Sequence, residues 1–139
     1  MSRSQLKDPS DNIEISRFSV EDQATYLDFL RKRNLSEHLL GVIPLIGWIA
    51  KRKDIPIGAI FIREVEGRYA LIDGLITDPT IHPIVRHRAI DRLVSELIKY
   101  CQQEDYKKIF AFTADNSTLK RSFMHGFQVS PDVLITLPL

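Results

Sequence analysis

The residues best suited to bind a charged group lie in one short stretch of the chain, 86–92. Arg86, His87 and Arg88 follow a loop that contains two prolines, and they precede an amphipathic helix. The first amides of a helix have no partner within the helix, and the helix dipole favours negative charge at that end. Basic side chains beside such amides make a binding site for phosphate or another anion. The stretch therefore predicts an anion site, with an ordinary solvated helix start as the alternative.

The spacing of the other candidate residues argues against metal and nucleophile chemistry. None of the four histidines forms an HExxH motif or an i, i+4 pair; they are His38, His82, His87 and His125. The single cysteine, Cys101, falls in an apolar helical stripe, so we interpret it as a small buried residue and not as a reactive thiol. No serine lies in a G-x-S-x-G motif. The sequence indicates neither a metal site nor a hydrolase.

Composition indicates a single globular domain. A chain of 139 residues is long enough to bury a core, and its apolar content of 44% is ordinary. The net charge of +1 lacks the basic excess of a protein that binds nucleic acid without sequence preference. The longest nearly uncharged stretch, residues 39–50, is too short to span a bilayer, and the N-terminus lacks the apolar run of a secretory signal. We expect a cytoplasmic protein that binds neither nucleic acid nor membranes.

The first half of the chain predicts a strand, a helix and an antiparallel meander. A polar tail over residues 1–11 is expected to be flexible and to precede one domain at 12–139. Alternating residues predict a strand around Ile13–Ile15, and Ser19 begins a capping-box pattern for a helix over 20–33. The remaining elements are a stretch at 35–44 that fits a short helix or a loop, and strands at 47–52, 57–65 and 69–77.

A long helix organises the second half of the chain. Its apolar stripe consists of Ile90, Leu93, Val94, Leu97, Ile98 and Cys101. A strand at 107–113 follows, and a crossover of this length is typical of a parallel strand pair. The last elements are a short helix capped by Asp115 or Asn116 and ended at Gly126, a return strand from Phe127 and a strand at 133–137. The predicted fold is α+β, a mixed and mostly antiparallel sheet of six or seven strands with flanking helices.

This order of elements resembles the fold of the GNAT family, the Gcn5-related N-acetyltransferases, over roughly residues 12–137. The segment from Arg86 to Asp91 occupies the position of the family's (Arg/Gln)-x-x-Gly-x-(Gly/Ala) loop, which binds the pyrophosphate of acyl-CoA. The segment from Asn116 to Phe127 resembles the family's closing segment, an Asn, a short helix and a Gly-Phe pair. The resemblance implies acyl transfer from an acyl-CoA co-substrate, most simply acetyl-CoA, to a primary amine.

The resemblance also implies where the co-substrate is held. In this family two neighbouring parallel strands diverge, and the pantetheine arm lies in the gap, here between the strands that end at Thr77 and Thr113. The residues assigned to the co-substrate are Leu75, Ile76 and Thr77 beside the thioester, Arg86, His87, Arg88, Ala89, Ile90, Asp91 and Arg92 at the pyrophosphate, and Asn116 near the pantetheine.

Two positions of the pyrophosphate loop depart from the family pattern. Ala89 stands where the family has Gly, and Asp91 stands where it has Gly or Ala. A carboxylate about 4 Å from a phosphate repels it by about 1 kcal/mol in water and about 4 kcal/mol at a surface-like dielectric. Neighbouring arginines offset this repulsion if they pair with Asp91, and the carboxylate is harmless if it points along the helix flank.

The catalytic residues are also implied by the resemblance. Many members use a Tyr on the last helix to protonate the leaving thiolate, and Ser122, a poor donor, stands at that position, so water is the alternative. Asp73 is the predicted general base, with Asp78 second, because burial among apolar strands would raise the pKa of Asp73. The alternative is that Asp73 and Gly74 form a polar bulge.

Two functions therefore follow from the sequence. The first is an acyl-CoA-dependent N-acyltransferase, whose acceptor is expected near residues 31–48. The second is a catalytically inactive GNAT-like protein that binds a protein partner or a ligand. The apolar stretch at 39–50 would then supply an interaction surface or a homodimer interface.

Overall fold

The computed structural model describes residues 12–139, so the predicted tail at 1–11 lies outside the described residues. The strands are β1 (Ile13–Arg17), β2 (Ile46–Arg52), β3 (Ile55–Val65), β4 (Tyr69–Thr77) and β5 (Lys108–Phe110), and the α-helices are α1 (Gln23–Lys32), α2 (Pro83–Gln103) and α3 (Asn116–Met124). Two 3-10 helices, Val20–Asp22 and Glu37–Val42, flank α1. The second of them settles the ambiguous stretch at 35–44 as a short helix.

The five strands form one sheet in the order β1-β2-β3-β4-β5. Neighbours from β1 to β4 are antiparallel, and β4 and β5 are parallel. The meander and the parallel pair are therefore confirmed, and the sheet is mixed and mostly antiparallel. The β2–β3 turn places Lys53 and Asp54 at φ of 50° and 64°, so two left-handed residues form a tight turn there.

The predicted count of six or seven strands is not confirmed, since residues 12–139 contain five. The strand predicted at 107–113 is shortened to Lys108–Phe110, and no strand forms at Phe127 or at 133–137. Alternating apolar residues report a preference for the extended backbone, but a strand forms only where its amides and carbonyls find a ladder partner. In the described chain the 133–137 segment has no such partner.

Helices cover both faces of the sheet. On one face, α2 packs its buried stripe of Leu93, Val94, Leu97 and Cys101 against residues such as Ile60. Burial raises the pKa of the Cys101 thiol to about 11, which agrees with its interpretation as a core residue. On the other face, α1 packs Tyr26, Phe29 and Leu30 against Ala59, Phe61 and Ile76. None of the helices within 12–139 combines the length and apolar character needed to cross a bilayer.

Candidate functional site

The parallel pair of β4 and β5 opens after three residues. Tyr69 to Leu71 pairs with Lys108 to Phe110, and β5 then ends while β4 continues to Thr77. From Ile72 onward, β4 has β3 as its one neighbouring strand among the described residues. The chain after β5 is exposed at residues 111–115. A strand edge of this kind presents unpaired backbone donors and acceptors, which a ligand can use in place of a strand.

A bulge in β4 lies beside this open edge. The register between β3 and β4 shifts between Ala59 and Phe61, and Gly74 adopts φ of +66°. A Cβ at Gly74 would lie 2.9 Å from the Phe61 ring, so glycine is required both by the backbone and by the space. The Tyr26 hydroxyl donates to the Gly74 carbonyl at 3.1 Å, and Asp73 Oδ1 accepts from the Gly74 amide at 2.8 Å. The bulge is therefore fixed from both sides.

Asp73, the predicted base, is not buried. Its side chain is 42% exposed, and its Oδ2 accepts a hydrogen bond from Arg63 Nε at 2.5 Å. Arg63 also donates to the Val42 carbonyl, which links this carboxylate to the second 3-10 helix. The expected burial of Asp73 among apolar strands is therefore not found, because its side chain is partly exposed. Its position beside Gly74 agrees with the alternative of a polar bulge.

The end of β4 is held by α1. Leu75 is exposed, whereas Ile76 and Thr77 are buried. Arg33 donates from Nε to the Thr77 carbonyl at 2.7 Å and from its terminal nitrogen to the Thr77 hydroxyl at 2.6 Å. Of the three residues predicted beside the thioester, Leu75 is therefore the most accessible.

Asp78, the second predicted base, is a buried structural anion. Lys32 Nζ lies 2.7 Å from its Oδ2, and the Thr80 amide and hydroxyl donate to Oδ1 at 2.9 and 2.7 Å. Burial opposes ionisation, but the hydrogen bonds from Lys32 and Thr80 outweigh it and lower the pKa of Asp78 below 3.8. All of these bonds tie the β4–α2 loop to α1 and leave Asp78 unsuited to accept a proton at neutral pH.

The predicted turn at Arg86–Arg88 is part of a helix. Helix α2 begins at Pro83, and the His82 side chain accepts the Ile84 amide through Nδ1 at 3.2 Å. Proline suits the first helical position because its φ is already helical and its missing amide would lack a partner there. The amides at 87–92 therefore lie beyond the first turn of α2, where helical bonding engages them.

The seven predicted pyrophosphate residues have different surroundings on α2. Ala89 is fully buried in the core, Ile90 is half-buried, and Arg86 Nε donates to the Ile81 carbonyl at 3.0 Å. The exposed cationic or ionisable side chains are His87, Arg88 and Arg92. This exposed basic surface lies on the first half of α2, next to the loop that leaves the open end of β4.

Asp91 contacts two side chains of the α3 segment. Its Oδ1 lies 3.1 Å from His125 Nε2 and 3.5 Å from an Arg121 nitrogen, and the same Arg121 nitrogen donates to the His87 carbonyl at 3.1 Å. Arg121 and His125 are four residues apart, so they share one face of the chain's last helical turn. The sequence shows this i, i+4 spacing, but the spacing does not identify the carboxylate that the two side chains contact. Pairing with Arg121 reduces the repulsion that Asp91 would exert on a phosphate.

The last helix offers a polar start and a weak proton donor. Asp115 caps α3, accepting the Thr118 amide at 3.1 Å, and its hydrogen bonds with Thr118 and Ser117 lower its pKa to about 2. Asn116, the first residue of α3, is exposed. The Ser122 hydroxyl donates to the Leu119 carbonyl at 2.6 Å, so its proton is already engaged within the helix.

A shallow groove lies on the α1 side of the sheet. It is open, has a volume of about 580 Å³ and runs between residues 18–23 and 37–45. Its lining includes Phe18, Val20, His38, Leu40, Ile43 and Leu45. It falls partly within the region where the resemblance implied the acceptor. Within residues 12–139 no group of three or more potential metal ligands comes together.

Several solved structures similar to this chain are described as acetyltransferases. A predicted acetyltransferase from Clostridium acetobutylicum, solved with acetyl-CoA, has a TM-score of 0.66 and 14% identity over 90% of this chain and 96% of that one. A GNAT-family acetyltransferase from Staphylococcus aureus has a TM-score of 0.64 and 14% identity over 82% of each chain. An aminoglycoside acetyltransferase from an uncultured soil sample, in complex with sisomicin, has a TM-score of 0.69 and 14% identity over 95% of this chain and 99% of that one.

No protein-family model matches the chain, and no curated protein sequence matches it. The likeness to known proteins is therefore one of fold, and it agrees with the predicted order of elements as far as α3. The chain has the fold of the GNAT acetyltransferases.

Proposed function

We propose that this protein is an acyl-CoA-dependent N-acyltransferase, most simply one that transfers acetyl from acetyl-CoA to a primary amine. The observation that supports this most directly is the unpaired edge of β4 after Leu71. The backbone of that edge can accept and donate hydrogen bonds to the amides of a pantetheine arm, as it would to a neighbouring strand. The thioester would then lie near Leu75, beside the bulge at Gly74.

The phosphates of the co-substrate would meet the basic surface at the start of α2. His87, Arg88 and Arg92 are exposed there, and the dipole of α2 adds positive potential near its first turn. Because the amides at 87–92 lie within α2, side-chain cations would carry most of this interaction. Arg121, which bridges Asp91 and the His87 carbonyl, is close enough to α2 to contribute.

The acceptor amine would attack the thioester carbon as the neutral amine. Asp73 is the carboxylate beside the bulge and would accept the amine's proton, with Arg63 holding its orientation. The bond from the carbon to sulfur then breaks and CoA thiolate leaves. Since the Ser122 proton is engaged by Leu119, water would supply the proton to that thiolate. The groove lined by Phe18, Leu40 and Glu37 would receive the body of the acceptor, and its mixed lining suits an amine with an apolar substituent.

Calorimetric titration with acetyl-CoA and CoA tests the proposal. Arg92→Glu and Lys99→Glu reverse the charge of two exposed residues on α2 that are seven positions, about 10.5 Å, apart on nearly the same face. We expect micromolar binding by the parent and by Lys99→Glu, and at least ten-fold weaker binding by Arg92→Glu. Absence of binding by the parent at millimolar acetyl-CoA contradicts the proposal. Release of free thiol in the presence of small amines then measures transfer.

A second candidate function is favoured by the contacts of Asp91 and Ser122. Such a protein would keep the fold and bind acyl-CoA or a protein partner without catalysing transfer. It would therefore need neither an uncharged residue at the position of Asp91 nor a free proton donor at Ser122. Binding of acetyl-CoA without thiol release across a broad amine panel supports this candidate. Thiol release that depends on an added amine supports the transferase.

A further inference from the structure

Arg121 joins α3 to the first half of α2. Its Nη1 donates to the His87 carbonyl at 3.1 Å and lies 3.5 Å from Asp91 Oδ1. Both contacts use one nitrogen, so among residues 12–139 the guanidinium keeps Nε and Nη2 for another acceptor. Buried side-chain nitrogens without a partner do not occur in the described chain, so Nε and Nη2 contact solvent. Arg121 therefore presents free donors beside the stretch of α2 to which the phosphates of the co-substrate are assigned.

The backbone at the start of α2 has few donors to offer a phosphate. The Ile84 amide donates to the His82 ring at 3.2 Å, and the Arg86 amide donates to the His82 carbonyl at 3.0 Å. Pro83 has no amide hydrogen, and from residue 87 onward helical bonding engages the amides. Side-chain cations must therefore supply most of the hydrogen bonds that a pyrophosphate needs, and a guanidinium supplies them in pairs.

Asp91 holds the guanidinium of Arg121 in place. Its Oδ1 contacts Arg121 Nη1 and also lies 3.1 Å from His125 Nε2, whose side chain is 14% exposed. A long side chain loses rotamer freedom when it binds a ligand, and a partner that holds it beforehand removes part of that cost. A carboxylate that acts in this way favours phosphate binding, whereas a carboxylate that faces the phosphate without a cation opposes it.

We propose that Arg121 binds the pyrophosphate of the acyl-CoA co-substrate, and that Asp91 is the positioning residue that holds Arg121 for it. This inference rests on the proposed function, and it gives a role to the carboxylate that stands where the family pattern has Gly or Ala. Nε and Nη2 of Arg121 donate to phosphate oxygens while Nη1 stays on the His87 carbonyl and Asp91. Asp91→Ala therefore weakens binding if Asp91 acts through Arg121, and strengthens it if Asp91 only repels the phosphate.

Calorimetric titration of the full chain with CoA and with 3′-dephospho-CoA tests the role of Arg121. Both ligands carry the pyrophosphate, and only CoA carries the 3′-phosphate. We expect Arg121→Gln to weaken the binding of both ligands at least ten-fold, and Arg121→Lys to weaken it less, because lysine keeps the charge but not the planar fork. Lys120→Gln removes an exposed charge from the next position of α3 and should change neither affinity by more than two-fold. A loss confined to CoA assigns Arg121 to the 3′-phosphate and overturns the proposal.

A double-mutant cycle tests the role of Asp91. Asp91→Ala should weaken CoA binding at least three-fold in the parent, but should strengthen it in Arg121→Gln, where only the repulsion remains to be removed. Both residues lie outside the core, so circular dichroism should show the parent's helix content in every variant.

The possible failures are distinguishable. Stronger binding by Asp91→Ala in the parent chain overturns the positioning role. Equal binding of CoA by the parent and Arg121→Gln overturns this inference and leaves the proposed function standing. Absence of CoA binding by the parent overturns both.

Discussion

The Lys32–Asp78 pair allows a sharp test of how α1 holds the loop after β4. Lys32 Nζ lies 2.7 Å from Asp78 and 2.9 Å from Asp28, so one ammonium group serves two carboxylates at nearly equal distance. The two carboxylates differ in burial, since the side chain of Asp78 is 8% exposed and that of Asp28 is 53% exposed. Replacing each in turn with Asn therefore measures the effect of burial with the cation held constant.

The expected losses differ several-fold. Asp78→Asn keeps an oxygen for the two Thr80 donors but loses a charge-assisted bond in a buried site, and such bonds contribute about 1.5–3 kcal/mol. Asp28→Asn removes an exposed pair of the i, i+4 type, which contributes about 0.3–0.5 kcal/mol. We expect the free energy of unfolding to fall by these amounts in urea titrations at pH 7.

The pH dependence gives an independent check. The pKa of Asp78 is lowered from 3.8 in the folded state, so its stabilisation is present above that value and is lost as pH falls through the folded pKa. The hydrogen bond to Asp78 raises the pKa of Lys32 above 10.5, so the same stabilisation is lost as pH rises through that folded value. The difference in stability between the parent and Asp78→Asn should be constant between these limits and should shrink as pH falls below 3.8. Equal losses for the two variants at pH 7 would refute the reasoning.

Two further predictions concern positions where the fold places a special demand. Gly126 follows α3 at φ of +91°, and a Cβ built on it would meet open space, so Gly126→Ala should lower the free energy of unfolding by about 1 kcal/mol in urea titrations. Gly41 also faces open space but has no positive φ, so Gly41→Ala should cost less than half of that amount. Equal effects of the two substitutions would contradict the conformational explanation. Burial, followed by the nearby Asp73, raises the pKa of Tyr26 to about 12, so the unfolded chain ionises first and stability should fall between pH 10 and 12. Tyr26→Phe should remove the loss of stability between pH 10 and 12 that Tyr26 causes. If the parent and Tyr26→Phe lose stability equally over this range, Tyr26 is not the cause.

The parts of the fold that depend on local signals could be predicted from the sequence. The capping box at Ser19 is present, with the Ser19 amide donating to Asp22 at 2.9 Å, and β4 has the predicted bounds. Gly126 has the left-handed φ expected after a helix. Each of these features is set by residues close together in the chain, so hydrophobic period and turn chemistry suffice to find them.

The site depends on contacts between distant elements, and there the sequence was a weaker guide. The basic residues Arg86 and His87 predict a turn before α2, but the helix begins earlier because Pro83 and the His82 cap set its boundary. The partners of Asp91 lie about 30 residues away on α3, at Arg121 and His125. Nothing in local spacing identifies those two partners, because the crossing of two helices is set by packing.

The proposed function depends on the short length of β5. With three paired residues, β5 leaves β4 unpaired on its inner side after Leu71 and presents an unpaired edge on its outer side. The first opening suits a narrow chain with amide groups, such as a pantetheine arm, because β3 still supports β4 from behind. Arg92 lies on α2 and not on this edge, so a loss of acyl-CoA binding in Arg92→Glu reports on the phosphate end of the co-substrate and leaves the strand opening unchanged.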